Sequence, residues 1–167
     1  FKDSVIIKKA QSSQSYVYED KDGERLLAAF NEKKLLNNKK LPKISFTKNT
    51  TFISDLRWIQ ATLYIAKNCY KKNLIHVVDL DNYKLTPKIK QIVELSSYPI
   101  FSETGALEFT KTKSIIGSLK KMNSIKNKFY AITAGKKGVY WIENGIVFNC
   151  KPPAIKAVET NCAGDVF

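Results

Sequence analysis

From residue 51 onward, short apolar runs alternate with segments of helical period. In the first helical segment, residues 58–69, apolar side chains recur at steps of three and four, which is typical of an amphipathic helix. The same patterns predict strands at 51–54, 74–80, 98–102 and 129–133, and further helices at 86–95, 103–109 and 114–122. Because strands alternate with helices, we predict βαβ crossovers and a mainly parallel sheet with helices on both faces. The fold class is α/β, and the apolar run at 74–80 predicts a strand buried on both faces.

Two β-hairpins frame this alternating region. Residues 15–19 and 24–30 are strand-like and flank the sequence DKDG, whose Asp and Gly suit a tight connection. Nearer the other end, Asn-Gly at 144–145 suits a type I′ turn between two further strands. The polar, lysine-rich stretch 31–43 predicts a connector on the surface.

Composition and charge narrow the class of protein. The chain has 167 residues, a hydrophobic content of 44% and a net charge of +13. Of its 28 basic residues only Arg25 and Arg57 are arginine, and the lysines are spread over every segment, so we expect a solvated lysine surface and no nucleic-acid partner. No run approaches the roughly 18–20 apolar residues of a membrane span, and we expect no membrane partner.

Three cysteines, Cys69, Cys150 and Cys162, are widely spaced and form no C-x-x-C pair. An odd number without paired spacing predicts neither a disulfide framework nor a zinc site. A reducing cytoplasm is the expected location.

The sequence ETNCAGD at 159–165 is the first candidate site. Its small residues let a ligand approach the backbone, and the N–H groups of a loop entering a helix form an anion site. Asp165 beside such a site would accept a proton from an attacking hydroxyl, while the amides stabilise the charge of phosphoryl transfer. The alternative is that Asp165 only caps the helix.

Two further loops follow predicted strands. The sequence TAGKKG at 133–138 has two glycines three positions apart, which suit a turn beneath a nucleotide and equally a connection between strands. Asp79 and Asp81, two residues apart at the end of a strand, would bind magnesium or a substrate hydroxyl, or would simply be a solvated strand end or a helix cap. His76 interrupts an apolar run, so we interpret it as a core histidine and not a catalytic one.

Taken together, these motifs resemble the ribokinase-like carbohydrate kinases of the phosphofructokinase B type. ETNCAGDVF resembles their second signature, usually D-T-x-G-A-G-D followed by a helix, and TAGKKGVYW resembles the T-x-G-x-x-G segment that the family places under ATP. SYVYEDKDGERLL resembles the lid strands that close over the sugar. The resemblance covers nearly the whole chain. It implies a three-layer α/β/α fold with a small β lid, residues 1–31 forming part of the lid and its connection and 32–167 a partial α/β core.

The activity that this resemblance implies is transfer of the γ-phosphoryl group of ATP to a sugar hydroxyl, as in a fructokinase, ribokinase or ketohexokinase. Asp165 matches the general base, and Ser13 or Ser15 on the lid would face the substrate. The backbone of 162–165 matches the anion hole, with Cys162, Ala163 and Gly164 as its residues beside the Asp165 amide. Thr133, Gly135 and Gly138 match the segment under the nucleotide. A nucleoside kinase of the same family and a non-catalytic nucleotide- or anion-binding relative are the alternatives.

Some positions depart from the family pattern. Glu159 replaces the usual Asp of a monovalent-cation site, which leaves potassium dependence open, and Cys162 replaces a glycine or alanine. The N-x-x-E element associated with Mg²⁺ is not evident, because SETG offers Ser102 and Glu103 in another arrangement. The candidate metal ligands are therefore Asp79, Asp81, Glu103 and Glu159.

The resemblance has two consequences for the chain as a whole. It implies an internal piece of a longer kinase, without the glycine-rich sugar-binding signature and without the helices that would follow Phe167. We expect the 167-residue polypeptide alone to have little or no kinase activity, because the anion-hole amides need the following helix to orient them. Lid strands also make a homodimer plausible.

Overall fold

A computed structural model describes residues 6–20, 25–36, 40–41, 43–81 and 83–154 of the chain. Strands and helices follow one another in the predicted alternation. In chain order they are β1 (Gln14–Glu19), β2 (Arg25–Phe30), α1 (Lys33–Leu36), β3 (Phe52–Ser54), α2 (Ile59–Lys72), β4 (His76–Leu80), α3 (Pro87–Leu95), β5 (Tyr98–Ser102), α4 (Glu103–Thr110), α5 (Ile115–Ile125), β6 (Tyr130–Thr133), β7 (Val139–Glu143) and β8 (Ile146–Cys150). In this described part, no helix is both long and apolar enough to cross a membrane.

The strands form two separate sheets. β1 and β2 pair antiparallel as the predicted hairpin. The larger sheet has the order β3-β4-β5-β6-β7-β8. The first four strands are parallel to one another, and β7 and β8 are antiparallel additions at one edge. The prediction of a mainly parallel sheet with a small separate β unit is confirmed.

Local sequence signals set the ends of these elements. Thr86 accepts a hydrogen bond from the N–H of Ile89 and precedes Pro87, as predicted for the start of α3. The turn between β7 and β8 has positive φ angles of 51° at Asn144 and 80° at Gly145, as a type I′ turn requires. The predicted surface connector contains one helical turn, α1, because the Glu32 carboxylate accepts the N–H of Lys34.

The hydrophobic core lies on one face of the larger sheet. Side chains of alternate residues, including Val78, Leu80, Phe101 and Ile132, are buried there in one cluster with the apolar residues of α3, α4 and α5. α2 packs beside α3 on the same face. Among the residues that the structure describes, α2 to α5 therefore form a single helical layer, and the predicted helices on both faces of the sheet are not found in this part of the chain.

The exposure of the opposite face of the sheet shows that one prediction was wrong. β4 is not buried on both sides, because Val77 is half-buried and Asp79 is exposed, whereas the alternate residues are buried. On the neighbouring strands Ile53 is 77% exposed and Tyr98 is 40% exposed on this same face. The apolar run of β4 predicted a double-sided strand, but only one side meets a described helix.

His76 is a buried structural residue, as the sequence predicts. Its Nε2 lies 2.8 Å from Ser54 Oγ, and its Nδ1 lies 2.9 Å from Ser96 Oγ. The imidazole thus links β3 to the end of α3. Burial, with a smaller effect from Lys128, lowers the pKa of His76 to about 4. The ring is therefore neutral in the folded protein at neutral pH.

This pKa predicts a loss of stability in mild acid. The unfolded chain takes up a proton near its ordinary pKa of about 6.5, whereas the folded chain does so only near pH 4. The contribution of His76 to stability is therefore complete above pH 6.5 and is lost as the pH falls towards 4. Between about pH 7.5 and about pH 5 we expect this residue alone to remove about 2 kcal/mol from the free energy of unfolding.

Urea unfolding at both pH values, with His76→Gln as the comparison, measures the effect. Glutamine keeps a hydrogen-bonding side chain but does not titrate in this range. The variant should lose about 2 kcal/mol less than the natural chain between the two pH values. An equal loss in both proteins would show that His76 is not the group responsible.

Candidate functional site

The carboxyl ends of β4, β5 and β6 bring three candidate segments to one edge of the sheet. Asp81 directly follows β4, Ser102 ends β5, and Thr133 ends β6 as the register partner of Ser102. This edge is where open parallel sheets bind ligands. A cleft of about 320 Å³ opens there, lined by Asp81, Tyr83, Ser102, Thr104, Gly105 and Glu108.

The floor of this cleft is tightly packed. Tyr83 donates a hydrogen bond from its hydroxyl to the carbonyl of Gly105 at 3.1 Å. A Cβ atom on Gly105 would lie 2.8 Å from the carbonyl oxygen of Leu80, so the first turn of α4 rests directly on the end of β4. Burial, and then the nearby Glu108 carboxylate, raise the pKa of Tyr83, which keeps its hydroxyl a hydrogen-bond donor.

The TAGKKG segment forms a 3₁₀ turn, Gly135–Lys137, between β6 and β7. Gly135 has a φ of +50° and open space around it. At Gly138 the φ is +88°, and a Cβ atom there would lie 2.0 Å from the carbonyl oxygen of Cys150. Packing against β8 thus explains the glycine at 138 without a ligand, whereas Gly135 leaves the loop accessible.

Two side chains hold this turn from opposite sides. Lys137 Nζ lies 2.7 and 3.0 Å from the two carboxylate oxygens of Glu103, at the start of α4. From β8, the Asn149 side chain donates hydrogen bonds to the carbonyls of Lys137 and Val139 at 3.3 and 3.1 Å. The ion pair joins the turn after β6 to the start of α4, and the Asn149 hydrogen bonds join the turn to β8. No sequence signal points to Lys137 or Asn149, because each partner is distant along the chain.

The predicted metal ligands that the structure describes do not form one cluster. Asp79 lies on the exposed face of β4, Asp81 lines the cleft, and Glu103 pairs with Lys137. No group of three or more His, Cys, Asp or Glu residues that could hold a metal ion occurs within the described ranges. Asp81 and Glu108 do line the same cleft, and Mg²⁺ in phosphoryl-transfer sites needs only one or two carboxylates together with phosphate oxygens. The carboxylate oxygens of these two residues are of the donor type that Mg²⁺ prefers.

Of the other predicted site residues, two lie within the described part of the chain and the rest lie outside it. Ser13 accepts a hydrogen bond from the N–H of Glu32 at 3.1 Å, and Ser15 is exposed on β1 opposite Ala29. The terminal signature lies outside the described residues, and with it Glu159, Cys162, Ala163, Gly164 and Asp165.

The chain matches the family model described as pfkB family carbohydrate kinase over residues 2–167. It therefore belongs to the pfkB carbohydrate kinase family. Among solved structures it is similar to a protein from Agrobacterium tumefaciens assigned as a ribokinase, with 24% identity, a TM-score of 0.80, and coverage of 95% of this chain and 53% of that one. These matches show a ribokinase-like fold.

Two further solved structures share this fold. One is the nucleoside kinase from Methanocaldococcus jannaschii, with 16% identity, a TM-score of 0.71, and coverage of 95% of this chain and 52% of that one. The other is a double mutant of the fructokinase from Vibrio cholerae bound to fructose, ADP and a potassium ion. It shows 17% identity and a TM-score of 0.68, with coverage of 91% of this chain and 55% of that one. The chain spans about half the length of the structures that it matches.

Proposed function

We propose that the protein transfers the γ-phosphoryl group of ATP to a hydroxyl of a sugar. The observation that carries this proposal is the meeting of the segments after β4 and β6 with the start of α4 at one edge of the sheet, in a chain of the pfkB family. The fructose and ADP bound to the Vibrio cholerae fructokinase support a sugar and a nucleotide as ligands.

In the proposed reaction the sugar oxygen attacks the γ-phosphorus, and the bond from that phosphorus to the β,γ-bridging oxygen breaks, which releases ADP. Asp165 accepts the proton of the sugar hydroxyl. The amides of 162–164 hold the phosphoryl oxygens as negative charge moves onto ADP. Thr133 and Gly135 lie beneath the nucleotide, while Gly138 shapes their loop against β8. Ser13 or Ser15 would contact the sugar.

Cations complete the proposed site. Asp81, alone or with Glu108, would hold Mg²⁺ near the nucleotide phosphates, where the ion supplies positive charge during transfer. Glu103 is a weaker candidate because Lys137 already pairs with it. Potassium in the Vibrio cholerae fructokinase supports a monovalent cation, with Glu159 as the residue of this chain to test.

The nucleoside kinase from Methanocaldococcus jannaschii favours one second candidate function. A nucleoside kinase would use the same proton acceptor and anion site but would present a ribose hydroxyl to it. A panel of sugars and nucleosides with ATP and Mg²⁺, followed by ADP release, tests both. Phosphorylation of a sugar would support the main proposal. Phosphorylation of nucleosides but of no sugar would support the second candidate function. Nucleotide binding with no turnover on either class in the complete protein would indicate a non-catalytic relative.

We also assign residues 1–31 to the lid and its connection, and residues 32–167 to the core. We place the protein in the cytoplasm, where free Cys69 and Cys150 would stay reduced.

The hairpin of β1 and β2 also suits a homodimer. By strand register Tyr16, Tyr18, Leu26 and Phe30 share one face of the ribbon, and they are 47–69% exposed. An isolated two-stranded hairpin is marginal in water, so this apolar face supports a second copy as its partner.

We expect Tyr18→Lys to weaken self-association at least about tenfold, because it places a charge in the apolar face of the ribbon. Val17→Lys is the matched control, since it adds the same charge to the opposite face of β1. Sedimentation equilibrium over a range of concentrations measures both variants. A natural chain that stays monomeric, or equal effects of the two substitutions, would contradict a dimer formed through this face.

A further inference from the structure

The carboxyl end of α3 carries a cluster of main-chain carbonyls around one ammonium group. Lys128 Nζ donates to the carbonyl of Val93, to that of Ser96 at 2.6 Å, and to that of Glu94 at 3.4 Å. It also lies 5.3 Å from the centroid of the Tyr130 ring. All three carbonyls come from the last turn of α3 and the residue that follows it.

This arrangement is chemically suited to a small cation. The last carbonyls of a helix have no partner within the helix, and the negative end of the helix dipole lies there. An aromatic face adds attraction for a cation. Among the described contacts, the hydrogen-bond partners of Lys128 Nζ are neutral carbonyl oxygens, and the charged side chains of Glu94 and Lys126 act on it without a hydrogen bond.

We propose that the end of α3 is a binding site for a primary ammonium ion, which Lys128 fills with its own side chain. The proposal is independent of the phosphotransferase activity. The carbonyls of Val93 and Ser96 accept two of the three N–H donors of a primary ammonium group. The Glu94 carbonyl lies within reach of the third donor at 3.4 Å and is shared with Lys126, whereas a spherical metal ion has no such donors. Removal of the side chain would leave an empty site able to take up a soluble primary ammonium ion.

The site is joined to the structural network around His76. Ser96 supplies its carbonyl to Lys128 and its hydroxyl to His76 Nδ1 at 2.9 Å. The charged and titratable groups around Lys128 are His76, Glu94, Lys126 and Tyr130. Burial, with a smaller effect from Lys126, lowers the pKa of Lys128 to about 7, so a test at about pH 6 keeps the natural side chain charged.

Chemical rescue of Lys128→Ala tests the proposal. At about pH 6 the variant should melt several degrees below the natural chain, and methylammonium chloride should restore most of that loss in a saturable manner. Tetramethylammonium chloride at the same concentration has no N–H donors and should restore nothing. Lys126→Ala is the matched control, because among the described contacts Lys126 donates one hydrogen bond, to the Glu94 carbonyl at 2.8 Å. This variant should show no difference between the two salts.

Two results would overturn the proposal: equal responses of Lys128→Ala to both salts, or unchanged melting of that variant. If Lys128→Ala does not fold, Lys128→Met keeps the stem and removes the donors, and a Met variant as stable as the natural chain would also overturn it. In the natural chain, NMR should detect Nζ protons of Lys128 that exchange with water more slowly than those of Lys126. Equal exchange would contradict an occupied site.

Discussion

In the complete protein, Asp165→Asn should lower the turnover number for sugar phosphorylation by about 10²–10⁴-fold, because asparagine cannot accept the proton of the attacking hydroxyl. The affinity for ATP should stay essentially unchanged, since in the proposed site the loop at 133–138 and main-chain amides would hold the nucleotide. A coupled assay for ADP and a titration of nucleotide binding separate the two effects.

The matched control is Asp55→Asn, which removes an exposed carboxylate that pairs with Arg57 before α2. It should turn over at the natural rate. Retention of most activity by Asp165→Asn would reject this residue as the base. Equal loss of nucleotide affinity and turnover would instead mean that Asp165 positions the loop and does not take the proton.

Gly138→Ala should destabilise the chain by at least about 3 kcal/mol, because both its backbone angles and its surroundings exclude a side chain. Its φ and ψ of 88° and −153° belong to a region that residues with a Cβ rarely occupy. The added methyl group would meet the Cys150 carbonyl oxygen at 2.0 Å. The loop beneath the proposed nucleotide would move as a result.

Gly135→Ala is the control in the same turn. Its φ of +50° is left-handed but its surroundings are open, so we expect a cost of only about 1–2 kcal/mol. Urea unfolding at neutral pH measures both variants. Similar costs at the two positions would contradict the packing of β8 against Gly138.

Sequence alone predicted the elements whose causes are local. Thr86 and Pro87 begin α3, and Asn-Gly forms the turn between β7 and β8, because each signal acts within a few residues. The alternation of strands and helices is read from the same kind of local pattern, and it implies crossover connections between parallel strands. The strand at 74–80 was predicted correctly as β4, but its burial on both faces was not, since burial of the second face depends on what packs there and not on the apolar content of the strand.

The candidate site was only partly predictable. The sequence placed Thr133, Gly135 and Asp81 after strands, and the fold brings their segments to one edge. It did not reveal the Glu103 to Lys137 ion pair, which joins residues 34 positions apart. Nor did it distinguish Gly138, which has a packing role, from Gly135, because both roles require the same residue type.

In the proposed site, a nucleotide binds over the loop after β6 with its terminal phosphate beside Asp165. A crystal structure of the complete protein with a non-hydrolysable ATP analogue and its sugar would show whether this is so. We predict the phosphates at the amides of 162–164 and the Asp165 carboxylate about 3 Å from a sugar hydroxyl. A nucleotide bound away from 133–138, or an Asp165 side chain that points into the protein interior, would rule out this site.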